Sequence, residues 1–226
     1  ATALMEGHHE AGILTSGKHF PGHGDTHQDS HKELPLVSFN ISRLNEIELY
    51  PYKNLIMKGL SSIMVAHLNV PELTGSNKIP TSLSNKVVTK LLKEEMGFKG
   101  LIISDAMNMR GVLDNKKFKN VDLAAFLAGN DVLLVSNNVP LGIKKIKSAY
   151  RNNKFSDSRL EASVKKILMA KYKAGLSIKK TIENKNLFQK LNTNVDTFLV
   201  SHAFSKSITL LRNGFGLLPL DGNEKY

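Results

Sequence analysis

Three short apolar runs, SIMVAH (62–67), GLIISDA (100–106) and DVLLVS (131–136), punctuate the chain, and a helical pattern follows each of the last two. Near-continuous runs of five or six apolar residues suit strands buried on both faces. Such strands occur where helices cover a parallel sheet on either side. ILTSGKH (13–19) supplies one more, after a short helical segment that ends near Gly12. The chain therefore reads as an α/β protein of four βα units. That is half the number a closed eight-stranded barrel needs. An open four-stranded doubly wound sheet is the other solution.

The helices carry recognisable punctuation. A helix is expected over 43–58, with Leu44, Ile47, Leu55 and Ile56 as its apolar stripe and a kink or break at Pro51. Ser84 is expected to cap a helix that runs to Met96 and stops at Gly97. Further helices are expected over 120–128, 140–152 and 157–174, the last capped by Ser156. Beyond Leu176 the pattern changes. SIKKTIENKNLFQKLNT is polar and lysine-rich, and reads as a linker or surface helix. VDTFLVSHAFSKSITLLRN reads as one amphipathic helix, and GFGLLPLDGNEKY as an extended segment.

Composition narrows the functional classes. No run of about 18 apolar residues exists, so no membrane span is expected. ATALMEGHHEAG lacks a basic leader followed by an apolar stretch, and does not read as a signal peptide. With no cysteine, thiolate zinc sites and disulfides are excluded. The formal charge is +11, but the lysines are dispersed and no nucleic-acid motif accompanies them, so a solvated surface is expected and no nucleic-acid partner.

Chemistry concentrates in KHFPGHGDTHQDSH (18–31). His19, His23, His27 and His31 are spaced by four, as zinc ligands on one helical face would be. Pro21, Gly22 and Gly24 forbid that helix, so no metal is expected. Position along the fold points elsewhere. Lys18 and His19 end one strand, His67 another and Asp105 a third, and active sites in α/β folds gather at the carboxyl ends of strands. In an extended segment Asp29 and His31 face the same side. Asp29 would then orient the imidazole, leaving it able to donate a proton near neutral pH. A carboxylate nucleophile, Asp105, with a separate proton donor is the arrangement of retaining glycoside hydrolysis. A metal-dependent hydrolase built on the histidines, and a non-catalytic sugar-binding protein, are the alternatives.

KHFPGHGDTHQDSH and LIISDAMNMRGV resemble two signature segments of family 3 glycoside hydrolases, nearest to the β-N-acetylglucosaminidase branch. VAHLNVPELTG, IPTSLS and LLKEEMGFKG fit between them. The resemblance covers most of residues 10–136 and continues more loosely to 220. It implies a (β/α)8 TIM-type barrel, a retaining exo-β-N-acetylglucosaminidase acting on peptidoglycan fragments or chitooligosaccharides, and no cofactor. It implies Asp105 as nucleophile, His31 as acid/base with Asp29 as its partner, and Lys18 and His19 as ligands of the sugar hydroxyls. His67 and Met107 join the candidate substrate-binding set, although packing beneath the site is the favoured reading of Met107 and Met109. His23 is expected to shape its loop and His27 to be exposed. A phosphorolytic outcome would use the same residues.

Against the family pattern, residues 1–175 match the C-terminal half of the barrel, and 176–226 a linker and helix leading toward a second domain. The other barrel half is expected elsewhere, with another chain as one source. The acid/base inside the barrel segment favours the N-acetylglucosaminidase branch over the glucosidase branch. A bacterial cytoplasmic and a cell-envelope location are equally compatible with the family.

Overall fold

A computed structural model of the chain describes residues 1–26, 33–115, 117–178, 181, 184–214 and 218. They divide into two units, 1–178 and 179–226. In the first, α1 (Thr2–Glu10) precedes β1 (Ser16–Phe20). Next come α2 (Ile41–Arg43), a π-helical turn (Leu44–Glu48) and α3 (Tyr50–Met57). After β2 (Ser62–Val65) the chain forms α4 (Pro71–Thr74), a 3-10 turn (Thr81–Leu83) and a π-helical stretch (Lys86–Glu95). Then follow β3 (Leu101–Ala106), α5 (Arg110–Leu113), α6 (Val121–Ala128), β4 (Val132–Leu134), α7 (Val139–Arg151) and α8 (Asp157–Lys173). The second unit holds α9 (Leu187–Leu191) and α10 (Asn194–Ser207), the latter started by a capping box of Thr193 and Asp196.

The strands pair in the order β1-β2-β3-β4, all parallel. A doubly wound sheet reverses its strand order at a switch point; a barrel adds each strand beside the last. The order is therefore that of a barrel segment. Between β2 and β3 the register is unbroken from Ser62↔Leu101 to Val65↔Ser104. Elsewhere it slips twice. On β1 three steps, Gly17 to Phe20, match two on β2, Ile63 to Val65. On β3 three steps, Ile103 to Ala106, match two on β4, Val132 to Leu134.

Ile63, Val65, Ile102 and Ser104 lie on one face of the sheet and are fully buried. The apolar members pack with Val87, Val88 and Leu92 of the π-helical stretch, and with Leu49, Tyr52 and Leu60 around α3. Each such side chain contributes roughly 1.5–3 kcal/mol of burial. Phe20 is fully buried, edge-on to Tyr52 with ring centroids 5.1 Å apart.

Local outcomes follow local causes. Pro51 does end one helix and start another. It sits in the first turn of α3, where its missing N–H costs nothing, while the Leu49 amide closes the preceding turn on the Leu44 carbonyl at 2.8 Å. Ser156 caps α8, accepting from the Arg159 amide. Ser84 does not cap with its side chain. Its carbonyl accepts from the Val87 and Val88 amides instead, because the 3-10 turn at Thr81–Leu83 leads directly into the next stretch. Gly97 adopts φ +69°, as a helix-ending glycine does. The strands are shorter than the apolar runs that announce them, since bulges and turns take up their ends. The helix expected over 195–213 stops at Ser207. Of the segment expected to be extended, most residues lie outside those described.

Candidate active site

Both register slips fall on residues singled out by the sequence. Lys18 and His19 lie inside the β1 irregularity, and Ser104 and Asp105 inside that of β3. A bulge re-aims side chains that a regular pleat would alternate between faces. The β3 bulge is bridged by a side chain. The Ser104 hydroxyl accepts from the Leu134 amide at 3.1 Å and donates to the Asp105 carbonyl at 2.8 Å. Beyond the slip, Met107 N–H returns to the Leu134 carbonyl at 2.8 Å. Asp105 Oδ1 accepts from the Ala106 amide at 2.8 Å, and the residue is partly exposed. The carboxylate therefore belongs to a partly exposed residue at the strand's carboxyl end.

Two strands away, about 10 Å by inter-strand spacing, Lys18 is exposed and His19 half-buried. The His19 ring meets His23 edge-on at 6.1 Å. His23 Nδ1 shares a hydrogen of Thr26 Oγ1 at 2.7 Å, the loop-shaping contact expected of it. These residues line a cleft of about 600 Å³ together with Asp25, Arg43 and Glu48. Arg43 ties the cleft together. It donates to Asp25 at 2.8 Å and to Glu48 at 3.2 Å, and stacks on Phe39 at 4.1 Å. Asp25, hydrogen-bonded to it, raises the guanidinium above its already high ordinary value.

His67 is fully buried. Nδ1 is 2.6 Å from Ser82 Oγ and Nε2 is 3.1 Å from the Ala106 carbonyl oxygen. A carbonyl only accepts, so Nε2 carries the proton; Nδ1 then accepts from the serine hydroxyl. Burial lowers the ring's pKa, against the opposing pull of the Asp105 charge. Both nitrogens of His67, expected as a substrate contact, lie on protein partners. Met107, expected in the substrate-binding set with packing as its favoured reading, is fully buried with Leu83, Val112 and Ala125. Met109, 5% exposed, is also interior. Asp29 and His31, expected to form the acid/base pair, lie outside the described residues, as does His27.

Ser82, Ser104, Arg43 and Glu48 escaped sequence reasoning. Ser82 and Ser104 lie within IPTSLS and LIISDAMNMRGV, but periodicity does not show that they reach His67 and Leu134, or that Arg43 joins Glu48 to Asp25. Asp131, at the amino end of β4, is the hub of a buried network there. It accepts from the Ile102 amide at 3.0 Å and Ser163 Oγ at 2.5 Å, and lies 3.3 Å from Lys166, 3.6 Å from Arg159 and 3.8 Å from Lys93. Among the described residues no three His, Asp or Glu side chains are grouped as a metal site would need.

Residues 1–170 match the sequence profile of the glycosyl hydrolase family 3 N-terminal domain. A β-hexosaminidase A of Pseudoalteromonas piscicida is 30% identical over 247 residues, which cover 99% of this chain and 40% of that protein. A β-hexosaminidase of Idiomarina loihiensis is 36% identical over 138 residues, 61% of this chain and 41% of that protein. The chain thus spans about two fifths of the length of these curated relatives. A family 3 β-N-acetylglucosaminidase from Paenibacillus sp. str. FPU-7 superposes with TM-score 0.83 at 32% identity, over 94% of this chain and 40% of that one. The β-glucoside phosphorylase BglX superposes with TM-score 0.86 at 26% identity, over 98% and 42%.

Proposed function

Because this chain belongs to glycosyl hydrolase family 3 through the family's N-terminal domain, we propose that it carries the catalytic residues of a retaining exo-β-N-acetylglucosaminidase. Asp105 attacks the anomeric carbon of a terminal N-acetylglucosamine while His31, oriented by Asp29, protonates the leaving oxygen. A glycosyl ester forms on Asp105 and the glycosidic bond breaks. His31 then takes a proton from water, which attacks the same carbon and frees Asp105. Lys18 and His19 hold the sugar's hydroxyls. Peptidoglycan fragments and chitooligosaccharides are the substrate class. On this reading residues 1–175 are the C-terminal half of the catalytic barrel, and 176–226 lead toward a second domain.

The observation that supports this most is the pairing of bulges with chemistry. The lysine-histidine pair and the aspartate both sit where the sheet's register slips, at the same edge of the sheet. The named activity of the β-hexosaminidase relatives supports the choice of sugar. The test compares wild type and Asp105→Ala on an aryl N-acetyl-β-glucosaminide and the matching aryl glucoside, with the anomer of the first product read by proton NMR. Loss of turnover in the variant and a β-configured product support the reading. Equal rates would remove Asp105 as nucleophile and leave a sugar-binding role.

A second reading has phosphate in place of water in the second step. The backbone likeness to a β-glucoside phosphorylase favours it. Adding inorganic phosphate to the same assay separates the two, since phosphorolysis releases a sugar 1-phosphate.

A further inference from the structure

Four polar side chains at the carboxyl edge of the sheet, His67, Thr81, Ser82 and Ser104, are fully buried, and so is Asn130, which precedes β4 and reaches Ser82 from there. They form connected clamps around the strand ends. Thr81 Oγ1 donates to the Ala66 carbonyl at 2.7 Å and accepts from the Leu68 amide at 3.2 Å, gripping the backbone on either side of His67. The Ser82 hydroxyl fixes the ring of His67, and the Ser82 carbonyl accepts from Asn130 Nδ2 at 2.8 Å. The far nitrogen of the ring reaches the carbonyl that follows Asp105. Ser104 holds the carbonyl of Asp105 itself from the other side. A buried imidazole whose two nitrogens both lie on protein partners is a rigid strut.

We propose that His67 is a positioning residue for the nucleophile: as the neutral Nε2–H tautomer it ties the carbonyl after Asp105 to Ser82, and so sets the carboxylate's line of attack without touching the sugar. This rests on the reading of Asp105 as nucleophile. Ala106 is held on both sides of its Cα. Its carbonyl, in the peptide to Met107, is held by His67, and its N–H, in the peptide from Asp105, by the Asp105 carboxylate. A shift of Ala106 would therefore disturb the carboxylate. A protonated ring would donate from both nitrogens and forfeit the serine's hydrogen bond; burial opposes that state.

Glutamine carries its amide nitrogen at about the reach of Nε2, asparagine at about the reach of Nδ1. In the full-length protein His67→Gln keeps the donor to Ala106 and His67→Asn loses it. With 4-nitrophenyl N-acetyl-β-glucosaminide, His67→Gln is expected to keep kcat within about threefold of wild type. His67→Asn is expected to lose about tenfold or more in kcat at unchanged KM, the size of one lost hydrogen bond in the transition state. Histidine 15N shifts of the wild type, read by NMR independently of turnover, are expected to give the neutral Nε2–H tautomer for His67. Equal rates for the two variants, an effect on KM alone, or an Nδ1–H or doubly protonated ring overturns the proposal. Asp105→Ala run beside them separates the two readings. If it keeps turnover, the nucleophile assignment falls and the positioning role with it. If it is inactive while His67→Asn matches wild type, only the positioning role falls.

Discussion

Nε2 of His67 lies 3.1 Å from the carbonyl oxygen of Ala106, so a ring at the end of β2 is tied to the backbone immediately after Asp105 on β3. The two strands are adjacent and in unbroken register up to Val65↔Ser104. The tie therefore continues the ladder two residues past the point where regular pairing stops. It leaves the Asp105 carboxylate as the polar group of this strand end that is not wholly interior.

Lys18 supplies a cation at the cleft where the sugar's hydroxyls are proposed to lie. A lost charge-assisted hydrogen bond costs roughly 1.5–3 kcal/mol, so Lys18→Ala should lower kcat/KM by about ten- to a hundredfold. Most of the change should lie in KM. Steady-state kinetics on an aryl N-acetyl-β-glucosaminide reads this directly, and an unchanged kcat/KM would remove Lys18 from the site.

Arg43 joins an exposed carboxylate, Asp25, to a buried one, Glu48. Removing the guanidinium strands the buried charge. Arg43→Ala should destabilise by about 3 kcal/mol, and Arg43→Ala with Glu48→Gln by clearly less than the two single changes summed. Urea denaturation of the four proteins makes the cycle. Strict additivity would mean that the pair contributes no coupling.

Gly22 has φ +147°, and a Cβ there would stand 2.7 Å from Cβ of Glu48. The conformation and the contact both exclude a side chain. Gly22→Ala should therefore lose about 2 kcal/mol or more of stability. A thermal melt indistinguishable from wild type would contradict the geometry.

Burial holds the Lys93 ammonium down to about 8, with Asp131 opposing and Arg159 and Lys166 reinforcing the shift. The ordinary lysine value is 10.5. Between these two pH values the unfolded chain keeps a proton that the folded chain has released. Stability from this group therefore rises with pH across that window. Relative to Lys93→Met, the wild type should gain stability from pH 8 toward 10.5, as measured by urea denaturation at several pH values. A difference that stays flat or falls would show that the lysine is not held low.

The sheet was legible because a parallel strand buried on both faces leaves an apolar run that few other structures need. LIISDA is both the run and the strand. Placing Lys18, His19 and Asp105 at strand ends was legible for the same reason. What the sequence hid was orientation. His67 ends its apolar run much as His19 does, yet one ring turns into the core and the other toward a cleft. The difference is made by Thr81 and Ser82, hydroxyl residues some 15 positions on in a loop with no periodicity. Met107 was undecidable from spacing, because the bulge before it changes which face the next residue meets. Arg43 and Glu48 belong to no pattern that periodicity reveals, and only the fold shows that one neutralises the other.

The central claim is a covalent bond between Asp105 and the sugar. Trypsin releases Gly100–Arg110, GLIISDAMNMR, in which Asp105 is the single carboxylate side chain. Incubating the protein with a slow 5-fluoro N-acetylglucosaminyl fluoride, followed by digestion and mass spectrometry, should show this peptide heavier by one fluorinated sugar residue. Recovery of the peptide unmodified, with turnover intact or with the label on another peptide, would contradict the account.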